Sequence, residues 1–313
     1  MSQRGIALLM VLWILTFLTV IVLSFSLMVR TEVYSALSFK NETENKFLAE
    51  AGIQRGIMEI FYHNANKNRK VVIEGREVFQ IDGREYSGSA GDGKYSFRIT
   101  DESGKVNINA LSDNTRIILY NLLVNEGIPG EKADAITDSI MDWKDADELH
   151  RLNGAESDYY MSLPAPYKSK NSNFDTLEEL LLVKGMTPEI LFGEEGKKGI
   201  ANLLTVYSTA NRINVKTAPK EVLMAIPDFS SDLADSVITL RETVPEEIIR
   251  HLQASLGKSY ETIAPYIGAE DFNIYTIDAL GYMEDRKKGY SIRSTVIIER
   301  NNKYRTVYYK SPA

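Results

Sequence analysis

From Ile6 to Val29 the chain runs without a single charged residue, and only "MSQR" and Gly5 precede this stretch. Twenty-four residues at about 1.5 Å each give about 36 Å of helix, enough to cross about 30 Å of bilayer hydrocarbon. The apolar part of a secretory signal is shorter, about 7–15 residues. No small-x-small cleavage site follows; the next residues are "VRTEVYSAL". The pattern therefore predicts a spanning helix. Arg4 and Arg30 flank it evenly, and the very short leader favours a cytoplasmic N-terminus. Beyond the span, Val33, Leu37, Leu48, Ala51, Ile57, Ile60 and Phe61 recur at helical spacing between charged residues. No proline interrupts from Met1 to Phe61, so one helix is expected, greasy at first and amphipathic later.

The pattern then changes period. "KVVIEGREVFQIDGREYSG" and "GKYSFRITDESGKVNIN" alternate and are rich in β-formers, with turn signals "DG", "SAGDG" and "SG". "IYTIDALGYM", "YSIRSTVIIER" and "KYRTVYYKS" near the end read the same way. Between them, from about Leu111 to Leu256, the spacing predicts short helices: "NTRIILYNLLVNEG", "EKADAITDSIMDW", "TLEELLLVKG", "PKEVLMAI", "SSDLADSVITLRE" and "EEIIRHLQASL". The expected architecture is α+β, with a helical section interrupting a β-rich one. A weak repeat runs through that section. "VNINALSDNTRI" from Val106 and "INVKTAPKEVLM" from Ile213 each place an asparagine, Asn107 or Asn214, ahead of a helix, a loop and a second helix.

Composition narrows the function classes. The chain has 313 residues, 44% hydrophobic and 25% charged, enough for one large domain or two ordinary ones. Without cysteine, a disulfide scaffold and a thiolate metal site are excluded. The net charge of −7 argues against nucleic acid, which asks for a basic face. The helical repeat is similar to DNA-binding helix-hairpin-helix modules, which hold a phosphate on glycine amides and a basic residue. "GIPGEKAD" in the first copy suits that partly; "IPDFSSDLAD" in the second is acidic and lacks glycine. A packing scaffold or protein-binding surface is the preferred reading. A membrane-anchored helix-hairpin-helix DNA-binding protein of a DNA-uptake system is the alternative.

The stretch "DWKDADELHRLNGAESDYY" is strongly acidic. Closely spaced carboxylates on a loop supply the oxygens that a hard cation such as calcium takes, and Gly154 frees the backbone to fold Glu156 back towards Asp145 and Asp147. The glycine is not placed as in an EF-hand, and a solvated acidic loop is the competing reading. Trp143, Tyr159 and Tyr160 would anchor the loop and draw its carboxylates together, which a cation would offset. His63, His150 and His251 are scattered. No phosphate loop, G-x-S-x-G, G-x-G-x-x-G or zinc-protease signature occurs. The chain is read as no enzyme.

"RGIALLMVLWILTFLTVIVLSF" resembles the signal of type IV pilin-like proteins, cut by prepilin peptidase after glycine. The acidic stretch, "FDTLEELLLVKGMTPEIL" and "YSTANRINVKTAPKEVLMAI" resemble, in the same order, segments of the minor pseudopilin K family of type II secretion systems. The resemblance implies a type IV pilin-like fold, a long N-terminal helix packed on an antiparallel sheet. It also implies a large helix-hairpin-helix or SAM-like α-helical insertion. The parts would be a leader over 1–5, a transmembrane segment over 6–29, a periplasmic body from 30–104 plus 271–313, and the insertion over 105–270. Processing would fall between Gly5 and a methylated Ile6. Met10 would stand where most pilin-like proteins carry a glutamate that neutralises a neighbour's N-terminal amine, a departure that suits a filament tip. Met10, Val33, Leu37 and Leu48 would face other subunits. Structural calcium would engage Asp142, Asp145, Asp147, Glu156 and Asp158. The partners would be minor pseudopilins I and J, the major pseudopilin, prepilin peptidase and the inner-membrane secretion platform, with no nucleic acid. The implied place is the inner membrane, single pass, with a periplasmic body capping a pseudopilus that exports folded proteins.

Overall fold

The computed structural model describes residues 3–66, 79, 81–270, 272–299 and 303–313, without the side chains of 3–7 and 242. Helix α1 runs unbroken over Gln3–Asn66, about 96 Å at 1.5 Å per residue. From Leu8 it is long and apolar enough to cross a membrane, with a mean hydropathy of 2.7 in its apolar window. Residues 8 to 42 are all exposed.

The last part of α1 lies on a five-stranded antiparallel sheet. Its strands are β1 (Glu85–Ala90), β2 (Gly93–Asp101), β9 (Ile274–Tyr282), β10 (Tyr290–Glu299) and β11 (Lys303–Lys310), in that spatial order. Most of the first expected strand segment, 70–88, lies outside the described residues; its described end forms β1. Ala49, Ile53, Ile57 and Ile60 recur every three or four residues and bury one helical face. They meet Phe97, Ile99, Tyr275, Ile277, Ala279, Ile292 and Val296, the alternate residues of three strands. Glycines set the distance. A Cβ on Gly52 would stand 3.0 Å from Ala279 Cβ, and one on Gly56 2.8 Å from Ile277 Cγ2. At Gly281 of β9 a Cβ would collide with the backbone nitrogen of Ala49 and the carbonyl oxygen of Asn45. Asn45 pins the same corner: its amide donates to the Lys288 carbonyl (3.0 Å) and its Oδ1 accepts from Met283 N–H (3.0 Å).

Strands β2 and β9 are neighbours, with Asp101 opposite Tyr275. Everything between them therefore leaves and re-enters the sheet at one point. This intervening part carries helices α2 (Ile117–Asn125), α3 (Gly130–Lys144), α4 (Ser157–Met161), α5 (Pro188–Phe192), α6 (Lys220–Ala225), α7 (Ser231–Thr243), α8 (Ile248–Leu256) and α9 (Tyr260–Ile263). It also carries three two-stranded ladders of two-residue strands. β3 (Val106–Asn107) pairs with β6 (Leu204–Thr205), β4 (Gly193–Glu194) with β5 (Lys197–Lys198), and β7 (Ile213–Asn214) with β8 (Ile267–Gly268). Its apolar core, including Ile108, Leu119, Leu122, Ile136, Ile140, Leu223 and Val237, is separate from the core under the sheet.

"TLEELLLVKG" departs from the expected α-helix: Leu177–Leu182 is 3-10. Thr176 and Glu179 form a capping box, a helix-start signal, but the turn at Gly185 (φ +85°) stops the segment after two turns. The outer face of the sheet is polar, and the insertion docks on it through polar groups. Arg293 bridges Asp278 (2.6 Å) and Asn202 (3.1 Å), and Tyr308 Oη donates to Glu178 (2.7 Å).

Candidate metal centre and the helical repeat

The centre is built on the last turns of α3. Asp138 and Asp142 are four residues apart, so both face the returning loop, and both are buried. Asp138 accepts Arg116 Nη1 (2.6 Å) and both the backbone N–H and the side-chain amide of Asn153 (3.2 Å each). Asp142 accepts the backbone N–H of Arg151 at 3.3 and 3.2 Å. These bonds fold the loop back onto α3. Asp145 follows the helix as its C-cap.

Glu156 enters from the other end of the loop, fully buried, just ahead of α4. One ligand atom each from Asp142, Asp145 and Glu156 lies within 4.8 Å of the others. Burial first, then the charges of Asp142 and Asp145, push the Glu156 carboxyl up to about 7. Burial likewise raises Asp142, partly offset by Arg151. Both oxygens of Glu156 and Oδ1 of Asp145 are buried without a hydrogen-bond partner. A buried carboxylate without a partner is costly, and a divalent cation would satisfy all three atoms at once. By donor chemistry and burial the residues fit a hard cation.

Of the five expected ligands, the structure gathers three. Asp147 is exposed and its carboxylate accepts from Leu149 N–H (2.8 Å). Asp158 is exposed too and pairs with His150 Nε2 (2.9 Å). Neither joins the cluster: Asp147 stands three residues beyond the end of α3, and Asp158 lies on the exposed side of α4. The role of Gly154 also differs from expectation. A Cβ there would run into Asp142 Oδ2 and lie 2.8 Å from its Cγ, so glycine is required by space. Trp143 and Tyr160 are buried edge to face, with ring centres 5.1 Å apart, and Phe174 stacks on Trp143 at 6.3 Å. This aromatic block holds the residues next to Asp142 and four beyond Glu156.

Several groups at the centre carry no sequence signal of their own. Arg151 Nη1 donates to Asp142 Oδ1 (2.8 Å) and Asp145 Oδ2 (2.6 Å). Lys184, thirty residues on from Gly154, donates to the carbonyls of Asn153 (3.2 Å) and Gly154 (3.0 Å). Lys144 turns away to the carbonyls of Ile108, Asn109 and Leu111, and burial lowers its ammonium to about 8. Glu148 holds Ser157 and Asn171, and the Asn171 amide keeps its carboxyl below the usual range.

The weak repeat is a real structural one. Asn107 and Asn214 each end a two-residue strand in a parallel ladder. Each accepts the backbone N–H two residues on, from Asn109 (3.2 Å) and Lys216 (3.1 Å), an Asx turn. Each then leads to a helical hairpin, α2–α3 or α6–α7. The copies pack together: Asn121 of α2 donates to the Ala225 carbonyl (3.0 Å), and Asn125 to that of Met224 (3.2 Å).

On α1, Met10, Val33 and Leu37 are exposed. Leu48 is corrected: it is buried, facing β2 and the 281–283 corner, because it lies on the sheet side of the helix. Phe47, Met58 and Tyr62 are the large apolar groups left exposed beside the sheet. Gly5 and Ile6 lie in the opening of α1, and the Ile6 side chain falls outside the described residues.

A long apolar-to-amphipathic helix laid on an antiparallel sheet, with a helical insertion between neighbouring strands, defines a type IV pilin-like α+β protein. Within that class the chain resembles the type II secretion protein K family. Residues 104–192 match the family model for "Type II secretion system (T2SS), protein K". Type II secretion system protein K of Pectobacterium carotovorum is 32% identical over 119 residues, 36% of this chain and 35% of that one. The namesake of Klebsiella pneumoniae is 29% identical over 201 residues, 59% and 58% of the two chains. That of Pseudomonas aeruginosa is 24% identical over 200 residues, 60% and 58%. The matches thus span between about a third and three fifths of these relatives' length. A chain of the GspK-GspI-GspJ complex of the enterotoxigenic Escherichia coli Type 2 Secretion System has the same fold. Its TM-score is 0.55 at 15% identity, over 91% of this chain and 99% of that one.

Proposed function

We propose that this protein is a minor pseudopilin, placed at the tip of a type II secretion pseudopilus with minor pseudopilins I and J. The observation that carries the reading is the continuity of α1, which joins a membrane-length apolar segment to a pilin-like body without a break. Such a rod serves both as a single-pass inner-membrane anchor and, once extracted, as one member of a helical bundle. The exposed Phe47, Met58 and Tyr62 continue its apolar surface beside the sheet and offer neighbouring subunits a contact. Met10 leaves the bundle without an acid at that level, which suits a subunit with none above it, because a lone charge in an apolar bundle costs several kcal/mol. The body would lie in the periplasm, with the major pseudopilin below it and the secretion platform in the membrane. The contribution is shape and binding energy, with no chemistry of its own.

Calcium is proposed as a structural ion of the insertion, held by Asp142, Asp145 and Glu156. Bound there it would neutralise the buried carboxylates and lock the loop onto α3. Prepilin peptidase is proposed to cut after Gly5 and leave a methylated Ile6. Coexpressed with that peptidase, the Gly5→Val chain is expected to keep its full-length mass, while the parent loses its first five residues. Equal processing of both would overturn the pilin-type reading.

A further inference from the structure

We propose that Arg151 is the fixed counter-charge of the Asp142–Asp145–Glu156 cluster and sets its preference for divalent over trivalent cations; this rests on the cation reading above. The guanidinium takes one side-chain oxygen from each aspartate, Asp142 Oδ1 (2.8 Å) and Asp145 Oδ2 (2.6 Å). Its far side is tied to Asp113 Oδ1, through Nε at 3.4 Å and Nη2 at 3.2 Å, so it is held by three carboxylates and by its own backbone bond to Asp142. Asp145 Oδ1 and both Glu156 oxygens stay buried and unpartnered. Arg151 thus holds both Asp142 oxygens and one of Asp145, and leaves Asp145 Oδ1 and the two Glu156 oxygens for a ligand, as outer-shell partners of metal sites do.

Charge follows from this arrangement. Asp113, on the far side of the guanidinium, is three-quarters exposed and screened by water; the three carboxylates of the cluster and the one guanidinium leave two net negative charges, the match for one divalent ion. A trivalent ion would leave a positive charge uncompensated in a buried place, where charge is least tolerated. Lys144 and Lys184 spend their ammonium groups on backbone carbonyls, and their effect is common to parent and variants, so it cancels in a ratio of affinities. Removing the guanidinium exposes a third negative charge and should favour the trivalent ion. The sequence gives no warning of this role, since the side-chain partners of Arg151 lie 6, 9 and 38 residues away.

The test uses the full chain in detergent, with terbium(III) as the trivalent probe, its luminescence excited through Trp143 and displaced by calcium. The ratio of calcium to terbium dissociation constants is read for each chain. Arg151→Gln is expected to move it at least tenfold in favour of terbium. Arg151→Lys keeps the charge and is expected to stay within threefold of the parent. Asp145→Asn moves the charge the other way and is expected to shift the ratio towards calcium, which keeps the test decisive if Arg151→Gln fails to fold. An unchanged ratio in Arg151→Gln, an equal shift in Arg151→Lys, or an Asp145→Asn shift towards terbium overturns the role of Arg151 alone. A parent that binds neither ion overturns the cation reading and this inference with it.

Discussion

Replacing Gly281 by valine is expected to unfold the pilin-like body. The Cβ at this position would sit on the backbone of α1, against Ala49 N and Asn45 O. A backbone cannot rotate aside as a side chain does, so helix and strand must separate. Separation would also break the two Asn45 bonds to Lys288 and Met283 and open the apolar layer from Ala49 to Ile60. Overpacking alone costs about 1–3 kcal/mol. With that layer opened to water as well, the total should exceed about 4 kcal/mol, a large share of the stability of an ordinary domain. Gly268→Ala is the matched control, because a Cβ there would meet Arg212 Cβ at an ordinary 3.5 Å. Thermal melts of both variants in detergent, followed by proteolysis of the sheet, check this. A Gly281→Val chain that melts with the control would contradict the helix–sheet packing described here.

Chelation is expected to lower the melting temperature of the insertion, and Glu156→Gln is expected to change places with the parent between chelator and calcium. A cation bound only to the folded chain at about 100 times its Kd stabilises by about 2.7 kcal/mol. For a part of this size that is about 5–10 °C. Without the ion, at pH 8, the ionised Glu156 has no partner for either oxygen and stands beside two other carboxylates. Glutamine removes that charge. In chelator the Glu156→Gln chain should therefore melt above the parent, and in millimolar calcium below it. The crossing distinguishes a metal ligand from a merely strained acid: a variant above the parent in both buffers would show that calcium does not occupy the cluster.

How far such features could be read from sequence depended on the range of the interaction. The span, the period of α1 and the alternation of β2, β9, β10 and β11 are local patterns, and they were legible. The pairing of Asn107 with Asn214 was legible as well, because both copies keep the asparagine that makes the Asx turn. The burial of Leu48 is not legible, because an amphipathic helix does not say which of its faces meets the sheet; the glycines at 52 and 56 mark that face only once Ala279 and Ile277 are known to lie opposite. The acidic loop was legible as a composition, but not which of its carboxylates come together. Asp147 and Asp158 carry the same charge as Asp145, and only burial separates them. Arg151 and Lys184 were invisible, because their partners are brought near by the loop's return and by the turn after Leu182.

Co-purification tests the central proposal most directly. The full chain, coexpressed with its candidate I and J subunits and extracted in mild detergent, is predicted to elute with both as one complex. A second copy of this chain should be absent from it, as a tip subunit requires. Elution of the chain apart from both subunits, with its own copies or alone, would contradict the account.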